Sequence, residues 1–164
     1  MQVTAKDVKK VLKENNINTK SISVRCKIVG YDFSINVTLK DLSLPKPLIE
    51  EILTKEFESY ERDEFSGEIL AGGNTYVFVE YDYKIKDEAI EKMTPKANEF
   101  VEELKKTDIL WGYELATNND LTLYANKETN ILYINDSKNN RVAQWNSTDT
   151  YSIASALVTL TYGK

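Results

Sequence analysis

Two runs of strictly alternating residues, separated by four positions, constrain this chain more than anything else in it. Ile22, Val24, Cys26 and Ile28 alternate with Ser23, Arg25 and Lys27. Phe33, Ile35, Val37 and Leu39 alternate with Ser34, Asn36 and Thr38. A period of two puts each apolar set on one face of a strand. Val29-Gly30-Tyr31-Asp32 lies between the runs and offers a turn. The pattern predicts a β-hairpin with one face in a core and Cys26 on that face as a structural thiol.

Elements follow on both sides. Thr4 with Asp7 three residues on has the form of a capping box, with Asp in place of the usual Glu or Gln. Val8, Val11 and Leu12 then predict an amphipathic helix over 5–15, with Lys6, Lys9, Lys10 and Lys13 as its solvent stripe. Pro47 suits the first turn of a helix carrying Leu48, Ile49, Ile52, Leu53 and Phe57. A polar loop from Tyr60 to Asn74 leads to a strand at Thr75–Tyr83.

The second half predicts a helix over 87–107, which Pro95 should kink or divide. Strands are expected at 110–116, 121–125, 130–135 and 141–145. A last helix is expected at about 149–162, capped by Ser147, with Tyr151, Ala154, Leu157, Val158 and Thr161 facing inward. The fold class is therefore α+β. An α-β-β-α-β unit over 1–84 precedes a helix-flanked antiparallel sheet, α-β-β-β-β-α, over 85–164. Both strand sets are expected to be largely hairpin-connected, in one sheet or two.

The chain has no histidine and one cysteine. Histidine-based nucleophile pairs, histidine-bound metals, thiolate zinc sites and intramolecular disulfides are all excluded. Carboxylate, lysine, tyrosine or magnesium chemistry remains. Asp87 with Glu88, or Asp136 with Asp149, are weak magnesium candidates at these spacings. The expectation is a non-enzyme with no cofactor and no metal site. Neither a signal-peptide core in Met1–Lys13 nor a run of roughly 20 apolar residues is present, so a cytoplasmic protein is expected.

The net charge of −5 is unevenly spread: +5 over residues 1–47, −8 over 48–82 and −2 over 83–164. Glu50, Glu51, Glu56, Glu58, Glu61, Asp63, Glu64 and Glu68 crowd the middle segment, with Tyr60, Phe65, Ile69 and Leu70 among them. Such a surface fits a groove built for a phosphate backbone, and its aromatics fit hot-spot anchors. The plainer reading is a solvated face that keeps the protein soluble.

Three other features each admit two readings. Gly72-Gly73-Asn74 lacks the lysine of a phosphate loop and reads more simply as a turn feeding a strand. The lysine stripe with Arg25 and Lys27 could touch DNA phosphates, or simply be solvated. Trp111, Tyr113, Tyr124, Tyr133 and Trp145 could stack bases, but core packing or a partner surface explains them more simply.

The stretch Glu61-Arg62-Asp63-Glu64-Phe65-Ser66-Gly67-Glu68-Ile69-Leu70-Ala71-Gly72-Gly73-Asn74-Thr75-Tyr76-Val77 follows an opening helix and Ser21-Ile22-Ser23-Val24-Arg25. Together, over residues 4–83, they resemble a large polyvalent protein-associated domain, the twenty-ninth of a numbered series. Such domains occur in proteins of phages, plasmids and other mobile elements. No catalytic residue comes with the resemblance. The company it implies is that of inhibitors of host defence.

The leading expectation is thus an anti-CRISPR type of protein that binds a bacterial type II CRISPR effector nuclease inside the host cell. Glu50, Glu51, Glu58, Tyr60, Glu61, Asp63, Glu64, Phe65 and Glu68 would form the contact surface. The rival expectation is a mobile-element accessory protein that binds DNA through Lys6, Lys9, Lys10, Lys13, Arg25 and Lys27.

Overall fold

The computed structural model describes residues 3–162 and divides the chain into two units, Met1–Ile85 and Lys86–Lys164. The first unit opens with helix α1, Ala5–Glu14. The Asp7 N–H donates to the Thr4 hydroxyl and the Thr4 N–H donates to the Asp7 carboxylate, so the capping box closes with aspartate at its third position. Strands β1 (Ile22–Val29) and β2 (Asp32–Leu39) pair antiparallel around Gly30-Tyr31, with Gly30 at φ +65°. Glycine at the first central position is what a tight two-residue hairpin turn asks for.

Helix α2, Lys46–Phe57, carries Pro47 in its first turn. Strand β3, Thr75–Tyr81, then lies beside β2 and runs parallel to it, giving the order β1-β2-β3. The β1–β2 hairpin is as expected, and the connection from β2 to β3 corrects the expectation that this strand set is largely hairpin-connected. A parallel return needs a crossover, and α2 supplies it. The helix buries Ile49 and Leu53 in the same core as Val77 and Val79 of β3. Val8 and Leu12 of α1 and Ile35, Val37 and Leu39 of β2 complete that core. Each such side chain taken fully from water contributes about 1.5–3 kcal/mol.

The helices do not cover the whole hairpin. Ile28, expected in the core, is 66% exposed, and Cys26 is half-buried rather than sealed. β1 is an edge strand, and only its Ile22 end lies deep in the core. Partial burial still pushes the Cys26 thiol pKa up, with a smaller contribution from Asp7.

Helix α3 runs unbroken over Tyr83–Lys106, its first three residues in the first unit and the rest in the second. It starts four residues before the position expected and is not divided at Pro95. Pro95 itself is exposed, where its missing N–H has no buried acceptor to leave unpaired.

Strands β4 (Tyr113–Asn118), β5 (Leu121–Asn126), β6 (Ile131–Asp136) and β7 (Arg141–Trp145) form an antiparallel meander. Its tight turns place Asn119, Asn130 and Asn139 at positive φ, which asparagine tolerates. The predicted start of the first of these strands is wrong. Leu110 and Trp111 precede Gly112, which turns the chain at φ +59°, and both stay exposed.

Helix α4, Thr150–Tyr162, is capped by Asp149 rather than Ser147. The Asp149 carboxylate accepts from the Ser152 N–H at 2.7 Å, and the Ser147 hydroxyl donates to the same carboxylate at 2.9 Å. Its residues 152–158 are all buried, whereas Tyr151 and Thr161, expected inward, face solvent. Ala154, Leu157 and Val158 lie inside as expected.

Candidate functional site

Residues 58–74, between α2 and β3, form an ordered arm in place of a loose acidic loop. Ser59 bridges Thr75, and Arg62 bridges Ile69. The Leu70 N–H donates to the Glu61 carbonyl at 2.8 Å, and the Asp63 N–H donates to the Glu68 carbonyl at 2.9 Å. At the tip, the Asp63 carboxylate accepts from the Ser66 N–H at 2.7 Å and the Phe65 N–H at 3.0 Å. These bonds, Ser66 first, hold its carboxyl pKa below the ordinary aspartate value. The Arg62 guanidinium donates to the Gly67 carbonyl.

The base of the arm is tied to the β1–β2 hairpin by the Gly73 N–H, which donates to the Tyr31 carbonyl at 2.9 Å, and by the side chain of Asn74. Asn74 is 1% exposed. Its amide group donates to Asp32 Oδ1 at 2.9 Å and to the Leu70 carbonyl at 2.8 Å, and its oxygen accepts from the Glu61 N–H at 2.9 Å. Gly72 and Gly73 allow the approach. Both have positive φ, and a Cβ on Gly72 would stand 2.8 Å from Tyr31 Cβ. One on Gly73 would stand 2.9 Å from Glu61 Cγ. The Gly-Gly-Asn stretch is therefore a joint between arm and sheet.

Of the sequence-predicted contact residues, Glu58, Tyr60, Glu61, Asp63, Glu64, Phe65 and Glu68 belong to this arm. Phe65 at its tip is 98% exposed, with Ile69 and Leu70 exposed behind it. Asp63 holds the tip turn. Glu58 is half-buried against the Tyr60 hydroxyl, whose pKa it raises. Glu50 and Glu51 sit on a separate element, α2, with Glu51 in a groove against Val11 and Asn15 of α1.

The basic set also divides. Arg25 and Lys27 alternate with Val24 and Cys26, which pack on the core that α1 covers. Their side chains consequently face away from the α1 lysines, so the two groups do not make one surface. On that outer face the cross-strand register sets Lys27 opposite Ser34 and Ser34 opposite Tyr76, and in the next row Arg25 opposite Asn36 and Asn36 opposite Phe78. The Tyr76 and Phe78 rings lie 6.4 Å apart and stacked, and Tyr60 meets Tyr76 edge-on at 5.6 Å. Sequence reasoning missed this row. The alternation of Tyr76, Phe78 and Glu80 against Val77 and Val79 was the available signal.

The late aromatics do not act together. Tyr124 and Tyr133 stack at 5.4 Å on the outer face of the meander, and Arg141 lies 4.2 Å over the Tyr133 ring. The Tyr113 hydroxyl donates to Glu103 of α3, and Trp111 is outside the strands and exposed. Asp136 caps its own turn, accepting from the Lys138 and Asn140 N–H groups, and Asp149 caps α4. Among the described residues no group of three or more potential metal ligands occurs, and no helix is long and apolar enough to cross a membrane.

No family model, curated protein or solved structure matches this chain.

Proposed function

We propose that this chain acts by binding another protein through the arm, and that the partner is a nucleic-acid enzyme with a positively charged groove. The observation that carries this reading is Phe65. A phenylalanine almost wholly in water, at the tip of a hydrogen-bonded arm and flanked by Glu61, Glu64 and Glu68, has no use in the fold. It fits an apolar anchor with an acidic surround, the pairing that inserts a hot spot and complements basic walls. The arm's order favours binding, because little freedom is left to lose on docking.

The resemblance of residues 4–83 to mobile-element domains directs the choice of enzyme to a type II CRISPR effector nuclease. The inhibitor would occupy the DNA-entry groove or hold a nuclease domain undocked. The test is a cleavage assay with guide-loaded nucleases from several sources, with this protein added before or after target DNA. Inhibition with co-migration of the two proteins is expected. Phe65→Ala should weaken binding about 30-fold. Glu61→Gln, Glu64→Gln and Glu68→Gln together should slow association and flatten its salt dependence, with Asp63 kept because it holds the turn. Full inhibition by both variants would remove the arm from the account. No inhibition by the natural sequence would remove the nuclease.

A further inference from the structure

The outer face of the first sheet carries chemistry that the arm does not use. Phe78 is 51% exposed, and Tyr76 beside it is partly covered where Tyr60 of the arm meets it edge-on. Large aromatic rings on the solvent side of a sheet have no core to fill. One strand further across the same face, on β1, Arg25 and Lys27 are exposed, and among the described residues neither takes part in an ion pair. The carboxylates at the margin are engaged: Glu80 bonds Lys46 Nζ at 3.1 Å, and Glu58 lies against the Tyr60 hydroxyl.

We propose that this face binds single-stranded DNA, with bases stacked on Phe78 and Tyr76 and phosphates on Arg25 and Lys27. Every base offers a π-face to a ring, and a row of rings beside cations is the sequence-tolerant way of holding an unpaired strand. Same-face positions on a strand recur about every 7 Å, so Tyr76 and Phe78 serve successive bases. A duplex keeps its bases stacked on each other and cannot use the rings. Ser34 and Asn36, which lie between the rings and the cations, bond to each other at 2.7 Å. The rings take bases and the cations take phosphates, and neither needs a 2′-hydroxyl, so a DNA strand loses nothing by lacking one.

The surface is separate from the lysine stripe of α1, which is on the other side of the sheet. It is also independent of the arm's partner, so the experiment needs only the full chain. Fluorescence anisotropy would be followed with a labelled 20-nucleotide thymidine strand, the corresponding uridine strand and a duplex of equal length, at two or more salt concentrations. The thymidine strand should bind, the uridine strand comparably, and the duplex weakly. Phe78→Ala should weaken binding about 5- to 150-fold, the range for one lost base stack. Phe78→Trp should restore it. Arg25→Gln with Lys27→Gln should lower the salt slope by about 1.4, the share of two phosphate contacts on a single strand.

Circular dichroism melting of each variant separates loss of binding from loss of fold. Four results would overturn the proposal: no binding of the thymidine strand by the natural sequence, equal binding of duplex, binding of the uridine strand alone, or affinity unchanged in a folded Phe78→Ala. Binding abolished only by replacing Lys6, Lys9, Lys10 and Lys13 would move the site to α1 and overturn it as well.

Discussion

The two sheets each show a pair of stacked aromatic rings on an outer face, and they treat the neighbouring cation oppositely. On the meander, Arg141 lies directly over Tyr133 and also donates to Gln144, so the ring and the charge satisfy one another. On the three-stranded sheet, Arg25 and Lys27 stand on the far edge strand, with Ser34 and Asn36 between them and the rings of Tyr76 and Phe78. The first arrangement is closed and stabilises the fold. The second leaves rings and charges separately available. Exposed aromatics on a sheet therefore indicate binding only when their polar neighbours remain uncommitted.

The sheets also differ in how they are held at their ends. The meander turns on local asparagines, whereas the three-stranded sheet depends on the Asn74 joint between β3, the arm and the hairpin. Asn74→Ala should have the largest effect. It leaves the Glu61 N–H and the Leu70 carbonyl without the side chain that joins them, at about 1–3 kcal/mol for each unsatisfied group, while Asp32 keeps the backbone N–H of residue 74. Urea unfolding would measure the loss, and hydrogen exchange should show it concentrated in residues 58–74. Uniform loss over both units would break the contrast.

Gly72→Ala should come next, at about 1–3 kcal/mol, because φ is +98° and the new Cβ meets Tyr31. Gly67→Ala, at φ +72° in open space, should cost about 1 kcal/mol. Equal costs would show that the approach to Tyr31 relaxes freely. Arg141→Ala should then cost about 0.5–2 kcal/mol through the lost ring contact, while Arg25→Ala should stay within about 0.5 kcal/mol. A destabilising Arg25→Ala would mean that this cation too is committed to the fold.

The smallest effect is one of pH. Asp63 and Asp136 each cap a turn, one per unit, and both have carboxyl pKa values lowered by hydrogen bonds. A lowered folded value means that the ionised form supports the turn. That support is fully present above the unfolded value of about 3.9 and is lost as pH falls through the folded value. A falling protection factor at the Ser66 and Asn140 amides, their exchange measured against the intrinsic rate at each pH, on acidification from pH 6 to pH 2 should report both. Asp63→Asn should remove the response at Ser66 alone.

The second unit was legible nearly strand by strand, because asparagine-rich turns and two-residue alternation act over a few positions. Its errors were local as well. Gly112 ended the exposed Leu110-Trp111 stretch before a strand could begin, and Asp149 took the cap expected of Ser147. In the first unit the hairpin and both helices were legible, but the paired arm with Phe65 at its tip and the face of Ile28 were not. Periodicity says which side of a strand is apolar, and only the placement of α1 and α2 says how far along the strand that side is covered.

Composition alone removed histidine and intramolecular disulfide chemistry from this protein, and alternation and helical apolar spacing alone marked out its hairpin and its helices. The parallel seating of β3 was decided by tertiary structure, since it rests on Ile49, Leu53, Val77 and Val79 closing one core across a crossover. That seating brings Phe78 beside Asn36, and Asn74 onto Asp32 42 positions earlier in the chain. Turn chemistry and side-chain period are short-range properties that a sequence displays directly. A register between distant strands is a packing result, and both candidate surfaces of this protein are built on one.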